Sequence, residues 1–511
     1  MSTHTHIDRI CIAVTLLSLL LTLVFMNGDT LGIRRAGEES EDLYFTENDM
    51  DADWSTEDAT VIRLTGDGGT VRGNGAYIAN GDVHIVYAGK YLLSGTLTDG
   101  SVIIDADGDD LIRLSLNGVS LHAEDTAALL IEQADKVILT LAEQTENFIS
   151  CGESFSEEVL SSGIDGAIYS RDDLSVNGSG SLTVTAPYRH GIVCNDDLVM
   201  TGGELYVDAA QDAIHAGDSF RLAAAALTLS AGDDAVTVEN DDQTDYLYIE
   251  SGRVSVSTCY EGLEATTVSV TGGVVDITSS DDGLNAQELI KITGGDIRIV
   301  NENGRDADGF DSNGDIRIEG GNIFISVPND GSSSALDYGS ERGGICRIDG
   351  GTLIACGSRQ MQEAVEESSA QAFLMCSAEG ESGSSLTLRD ESGNVLLSET
   401  IPNSFSSVIV STPEMRLGGD YTIVTDGTET SYTADNSSLA GDFSPMGRDG
   451  PGGKPPFPKE EKGGERPDFD PSQAPPDGGD RPDFDPSQAP PDGERPPKLK
   501  RDVKSKKEVI E

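Results

Sequence analysis

The sequence predicts an all-β protein: a parallel β-helix with a small C-terminal β appendage and a disordered Pro-rich tail. Three observations predict it. A short apolar string recurs in eight copies, 21 to 27 residues apart. Gly is abundant at 59 residues while aromatics make up only 5%, which suits short strands and tight turns rather than a helical bundle. No helical pattern interrupts the repeats, and units this small cannot bury a core alone but can when stacked.

The recurring strings are IDGAIYS (164–170), RHGIVC (189–194), QDAIHA (211–216), DDAVTV (233–238), YEGLEA (260–265), DDGLNA (281–286), ADGFDS (307–312) and SSALDY (333–338). Between them lie strings such as LVMTGGELYV and IKITGGDIRI, each two short alternating strands around a Gly-Gly turn. Coils would rise about 4.8 Å each, the spacing of strands in a sheet. Ile168, Ile192, Ile214, Val236, Leu263, Leu284, Phe310 and Leu336 would then stack as one interior apolar ladder.

In chain order, residues 1–28 hold an uncharged apolar run from Ile10 to Met26 after Arg9, read as a signal peptide or a membrane anchor. Either reading places the protein outside the cell or on its surface. Residues 29–57 are read as a linker and 58–378 as the parallel β-helix, with Thr60–Ser150 forming less regular first coils. Residues 379–436 are read as hairpins that cap an otherwise open coil end. Residues 437–511 form a Pro-rich repeat tail, since 15 of the 19 prolines lie beyond Asp442 and RPDFDPSQAPPDG occurs twice. Its basic end, Lys498–Lys507, is a solvated tail or an attachment to an anionic cell-wall polymer. Of the seven Cys, six fall within the β region without CxxC spacing, so buried free thiols are expected, with a Cys346–Cys356 disulfide as the alternative.

The net charge of -56 disfavours nucleic acid, which needs Lys/Arg patches. Within the repeated string, the second position holds Asp212, Asp234, Glu261, Asp282 and Asp308 in five consecutive copies. The fifth position holds Glu264, Asn285, Asp311 and Asp337. Carboxylates one coil apart would repel by about 3–4 kcal/mol at an effective dielectric near 20. Calcium between coils would relieve this, at about 2.4 Å from each oxygen. The expected metal ligands are Asp234, Glu261, Glu264, Asp281, Asp282, Asn285, Asp306, Asp308, Asp311 and Asn313. The run DADGFDSNGD is not an EF-hand, because Arg317 stands where the closing Glu belongs and no helices flank it. His190 and His215 are read as turn residues rather than ligands.

The strings ADKVILTLAEQTEN (134–147), IDGAIYSRDDLSVNGSGSLTV (164–184), HGIVCNDDLVMTGG (190–203) and DDGLNA (281–286) resemble the bacterial carbohydrate-binding β-helix family. Its members are pectate-lyase-like, calcium-containing proteins typified in cellulose-degrading clostridia. The resemblance spans roughly Asp58 to Thr433. It implies a right-handed coil, export, structural Ca²⁺ and binding of plant-wall or acidic polysaccharide, without clearly implying catalysis. The chain departs from the family pattern with Arg189 before His190, and lacks several family-typical lysines.

Three functions remain open: a carbohydrate-binding protein, a calcium-dependent pectate-type lyase, or a structural surface adhesin. A lyase needs a basic residue beside a calcium-bound uronate; the candidates are Arg305 and Lys291. The expected partner is a polysaccharide, possibly uronate-containing, and the expected state is a monomer. Tyr188, Tyr206, Tyr246, Tyr248, Tyr260 and Tyr338 are candidates for exposed aromatic contacts.

Overall fold

The computed structural model describes residues 44–53, 58–302 and 306–436. The apolar run from Ile10 to Met26, Cys11, Arg305 and the Pro-rich tail lie outside the described residues.

Strands of five or six residues with strict alternation generate the architecture. Glu204–Ala209, for example, buries Leu205, Val207 and Ala209 and exposes Glu204, Tyr206 and Asp208. Such a strand has one apolar face, and stacking it in register on its counterparts buries that face. The result is a parallel β-solenoid of about 10 turns. Each regular coil contributes to three parallel ladders. The first runs through Gly166–Ser170, His190–Cys194, Ile214–Ala216 and Val236–Val238 to Phe310–Ser312 and Leu336–Tyr338. The second includes Lys136–Leu141, Asp173–Gly178, Asp197–Met200, Ser219–Leu222 and Tyr246–Ile249. The third includes Glu146–Cys151, Ser181–Ala186, Glu204–Ala209 and Ala226–Ala231.

The Gly-Gly strings are therefore corners between ladders, not hairpin turns. The second Gly turns the chain with a left-handed backbone, as at Gly203 (φ +85°) and Gly273 (φ +79°). The interior apolar ladder forms in the expected register. Ile168, Ile192, Ile214, Val236, Leu263, Leu284, Phe310 and Leu336 stand directly on one another, and none is more than 1% exposed. Each such burial contributes about 1.5–3 kcal/mol before conformational entropy is subtracted.

Both ends of the solenoid are covered. At the start, Thr60–Gly66 pairs parallel with Gly89–Leu97 but antiparallel with Gly69–Arg72, and Ala76–Ala79 pairs antiparallel with Asp82–Ile85. At the other end, Ser407–Ser411 lies antiparallel on Cys346–Gly357, the last full coil. A four-stranded antiparallel sheet follows, in the order Val395–Ile401, Ser384–Arg389, Asp420–Thr425, Thr428–Thr433. Its core takes in Ile354 and Cys356, which point outward from the coil, together with Leu386, Leu388, Ile401 and Tyr421. Unpaired strand edges are thus removed where a stack would otherwise keep growing.

Part of the stretch read as a linker packs on the solenoid. A one-turn helix, Glu47–Met50, carries a capping box between Thr46 and Asp49. Asp49 is fully buried and its Oδ1 lies 2.6 Å from Lys136 Nζ. Tyr44 stacks on Tyr248 at a centroid distance of 3.8 Å. The six Cys of the described residues are all buried free thiols, Cys346 and Cys356 among them. Burial pushes their thiols well above the ordinary value, Cys151 to about 11.

Candidate functional site: an acidic ladder along the first corner

The string positions become columns once the coils stack. The second-position column reads His190, Asp212, Asp234, Glu261, Asp282, Asp308, Ser334, and the fifth-position column His215, Thr237, Glu264, Asn285, Asp311, Asp337. The fifth position points outward because its neighbours on either side fill the interior: Leu284 and Ala286 are buried and Asn285 is half-buried.

The second column is more than a stack of charges. Asp212 Oδ1 accepts from the Asp234 backbone N–H at 3.2 Å, and Asp234 Oδ1 accepts from that of Glu261 at 3.0 Å. Asp282 Oδ1 accepts from the Asp308 N–H at 2.7 Å, and Asp308 Oδ1 from that of Ser334. Each carboxylate thus staples its coil to the next and leaves its second oxygen for other partners. This backbone role is an independent reason for Asp at the position, and repeat spacing alone does not display it.

Those second oxygens meet the fifth column. Asp234, Glu261 and Glu264 bring carboxylate oxygens within 4.8 Å of one another, and so do Asp308, Asp311 and Asp337. Asn285 stands between the two triads and donates from Nδ2 to Glu261 Oε2 at 2.8 Å. Asp282 is buried between them and hydrogen-bonds with Asp311. Asp281 sits at the flank, where it accepts the Tyr260 hydroxyl. Asp306 is exposed beside the lower triad, and its charge raises the Asp311 carboxyl. Asn313 is not brought in. It follows the corner, and its Nδ2 donates to Gln287 Oε1 at 3.3 Å.

The electrostatics are those of an unneutralised cluster. Burial, then Asp212, pushes Asp234 up to about 7. Burial, then Glu264 and Asp234, pushes Glu261 up to about 8. Burial and Asp337 lift Asp311 to about 7, and burial with Asp308 holds Asp282 well above the usual carboxylate range. Asp308 is raised by burial and Asp337. Burial and a neighbouring carboxylate are what shift all five, and no Lys or Arg stands among the groups opposing the shift. A sixth carboxylate, Glu363, extends the ladder beyond the repeats. Burial and Asp337 push it up to about 8, and it accepts from Tyr338 N–H and the Ser340 hydroxyl. It lies outside any copy of the string, so no sequence signal marks it.

The N-terminal end of the ladder differs. His190 Nδ1 and His215 Nδ1 lie 3.1 and 3.0 Å from Asp212 Oδ2. Burial opposes ionisation of Asp212, but the two imidazoles outweigh it and hold the carboxyl well below the usual range.

Lys291 lies beyond the corner on the second ladder, with Nζ 3.9 Å from Glu319 Oε2. Of the tyrosines, Tyr206 and Tyr260 are exposed, Tyr188 and Tyr246 are half-buried, and Tyr248 and Tyr338 are buried.

Residues 79–331 match the family described as carbohydrate-binding domain-containing proteins. A carbohydrate-binding domain-containing protein of Acetivibrio thermocellus is 34% identical over 137 residues, which are 27% of this chain and 48% of that protein. The match thus spans about half the length of that relative. A solved structure, a polysaccharide lyase-like protein from C. thermocellum determined as a gadolinium derivative, is 25% identical with a TM-score of 0.42, over 54% of this chain and all of that one. The matched residues, 79–331, hold the ladder from His190 to Asp311, so the ladder lies within the part of the chain that is similar to carbohydrate-binding domain-containing proteins.

Proposed function

We propose that this protein is an exported polysaccharide-binding β-solenoid whose acidic ladder holds calcium, and that the calcium bridges to carboxylates of a uronate-containing plant-wall glycan. The observation that carries the reading is the pair of carboxylate triads, each with oxygens within 4.8 Å, in which Asp234, Glu261, Asp308 and Asp311 are shifted upward by burial and by neighbouring carboxylates. A cation bonded to oxygens at about 2.3–2.6 Å spans oxygens up to about 5 Å apart. An all-oxygen, all-anionic set suits Ca²⁺ better than a softer metal. Asp234 and Glu261 would hold one ion with Glu264, and Asp308 and Asp311 the other with Asp337. Calcium prefers six to eight oxygens, more than three carboxylates supply without water, so a sugar carboxylate has a place in the shell. Glu264, Asp311 and Asp337 are half-buried rather than sealed, so the outer column faces the approach. An acidic protein meets an acidic glycan best through such an ion.

Binding is preferred to a lyase reaction because Lys291, the lyase candidate that falls among the described residues, stands on the second ladder with Nζ 3.9 Å from Glu319 Oε2. The apolar N-terminal run supports export, and the basic end of the tail supports attachment to an anionic wall polymer; cell fractionation with and without residues 437–511 tests both. The central experiment is retention of the purified chain on polygalacturonate in Ca²⁺ and then in chelator, with unsaturated product read at once. Calcium-dependent retention without product is the expected result. Product would make the protein a lyase, and calcium-independent behaviour would overturn the bridging role.

A further inference from the structure

The geometry points to a transition-metal site, of zinc type, formed by His190, Asp212 and His215 at the N-terminal end of the ladder and distinct from the calcium triads. His190, Asp212 and His215 each bring one ligand atom within 4.8 Å of the others, and on both imidazoles it is Nδ1 that stands beside Asp212 Oδ2. The two nitrogen–oxygen separations are 3.1 and 3.0 Å. A tetrahedral ion with bonds of about 2.0–2.1 Å holds its ligand atoms about 3.3 Å apart, so the group needs to open by only about 0.3 Å.

Hydrogen bonding alone leaves this cluster in conflict. His190 Nδ1 stands 3.2 Å from the Asp212 backbone N–H as its acceptor, which requires a lone pair on that nitrogen. The same lone pair then faces Asp212 Oδ2 at 3.1 Å, oxygen lone pair against nitrogen lone pair. Placing a proton on Nδ1 instead satisfies the carboxylate and strands the Asp212 N–H. A cation between Nδ1 and Oδ2 removes the repulsion, at the same cost to the Asp212 N–H as a proton there. Asp212 Oδ1 is already occupied by the Asp234 N–H, which fixes the carboxylate with Oδ2 toward the imidazoles. His215 Nε2 lies 3.9 Å from Glu239 Oε1, beyond hydrogen-bond reach.

The ligand types separate this site from its neighbours. Two imidazoles with one carboxylate suit Zn²⁺ and its neighbours in the transition series, whereas the oxygen-only triads suit Ca²⁺. Three protein ligands leave a fourth position for water. The His190 and His215 side chains are 15% and 25% exposed, so an ion can enter from solvent.

The test uses the full chain without a histidine tag and with His4→Ala and His6→Ala, in saturating Ca²⁺ so that oxygen-only sites are filled. Calorimetric titration with Zn²⁺ is expected to show one ion per chain. His190→Ala and His215→Ala should each weaken it at least tenfold, while Asp308→Asn should leave it unchanged. X-ray absorption of the zinc-loaded unsubstituted protein should show two imidazole nitrogens, a readout that does not depend on a variant folding. No zinc retained in calcium, retention unchanged in both histidine variants, or a shell without imidazole would each overturn the site. Because Ca²⁺ is saturating throughout and no glycan takes part, failure here leaves the polysaccharide reading untouched.

Discussion

Asp311 shows how one side chain can be unfavourable and useful at once. It shares space with Asp308 and Asp337, and its carboxyl is pushed up to about 7 by burial and Asp337. Asp311→Asn removes one charge and keeps the shape. In chelator at pH 8 the variant should be more stable than the parent by about 1 kcal/mol, the scale of one screened like-charge contact. In Ca²⁺ the order should reverse, because a ligand is lost. Paired thermal melts check both signs, and a variant that is destabilised in chelator would remove the repulsion argument. Ala224 offers a second residue-level test. It is exposed at a corner where other coils use Gly, and its φ is +57°. A left-handed backbone costs a non-Gly residue about 1 kcal/mol. Ala224→Gly should therefore raise the melting temperature by about 2 °C.

At the scale of elements, the N-terminal segment docks through a sealed ion pair, Lys136–Asp49, and a more exposed one, Arg113–Asp51. Lys136 Nζ reaches Asp49 at 2.6 Å, with the Asp49 side chain fully buried and that of Lys136 11% exposed. Burial opposes ionisation of Asp49, and hydrogen bonds from Lys136 and Ser175 outweigh it, so the carboxyl stays below its ordinary value. Lys136→Met leaves that charge without its partner, a change that costs about 3–5 kcal/mol in a sealed site. The segment is expected to undock instead of bearing the whole cost. Amide exchange at residues 47–50 should accelerate while the solenoid ladders keep their protection, and Asp49→Leu in the same chain should restore docking. Exchange that stays slow in the single variant would show that Tyr44 stacking and the backbone bonds hold the segment alone.

At the scale of the whole molecule, the ladder makes stability depend on pH with a definite sign. Asp234 and Asp311 are raised to about 7, and Glu261 and Glu363 to about 8. Unfolded carboxylates titrate near 4. Between about pH 4 and pH 8 the folded chain therefore binds more protons than the unfolded one, and stability falls as pH rises. This contribution is full below about pH 4 and lost by about pH 8. Calcium would take the place of those protons, so melts in Ca²⁺ should flatten between pH 5 and pH 8 while melts in chelator decline. A flat chelator profile would mean that the ladder is neutralised by some other means.

Much of this molecule is written along the chain, because its contacts are periodic. Ile192, Ile214 and Val236 occupy the same place in successive strings, so translation by one string predicts both the interior ladder and the two acidic columns. Periodicity also places Glu261 near Glu264 and Asp308 near Asp311. It does not reach what depends on irregular chain. Glu363 joins the ladder from outside the repeats, and Tyr44–Asp53 docks through partners more than 60 residues away. Asn313, adjacent to the string, leaves the cluster because the chain turns a corner after Ser312. Repeat spacing alone thus determined the coil, its core and the columns of charge. Only the folded chain decided which carboxylate oxygens staple the coils, which remain to face one another, and that His190, from the preceding coil, meets His215 across Asp212. The reason is physical: a repeat specifies register, whereas the direction of a hydrogen bond and the closing of a corner are settled only when neighbouring coils are in place.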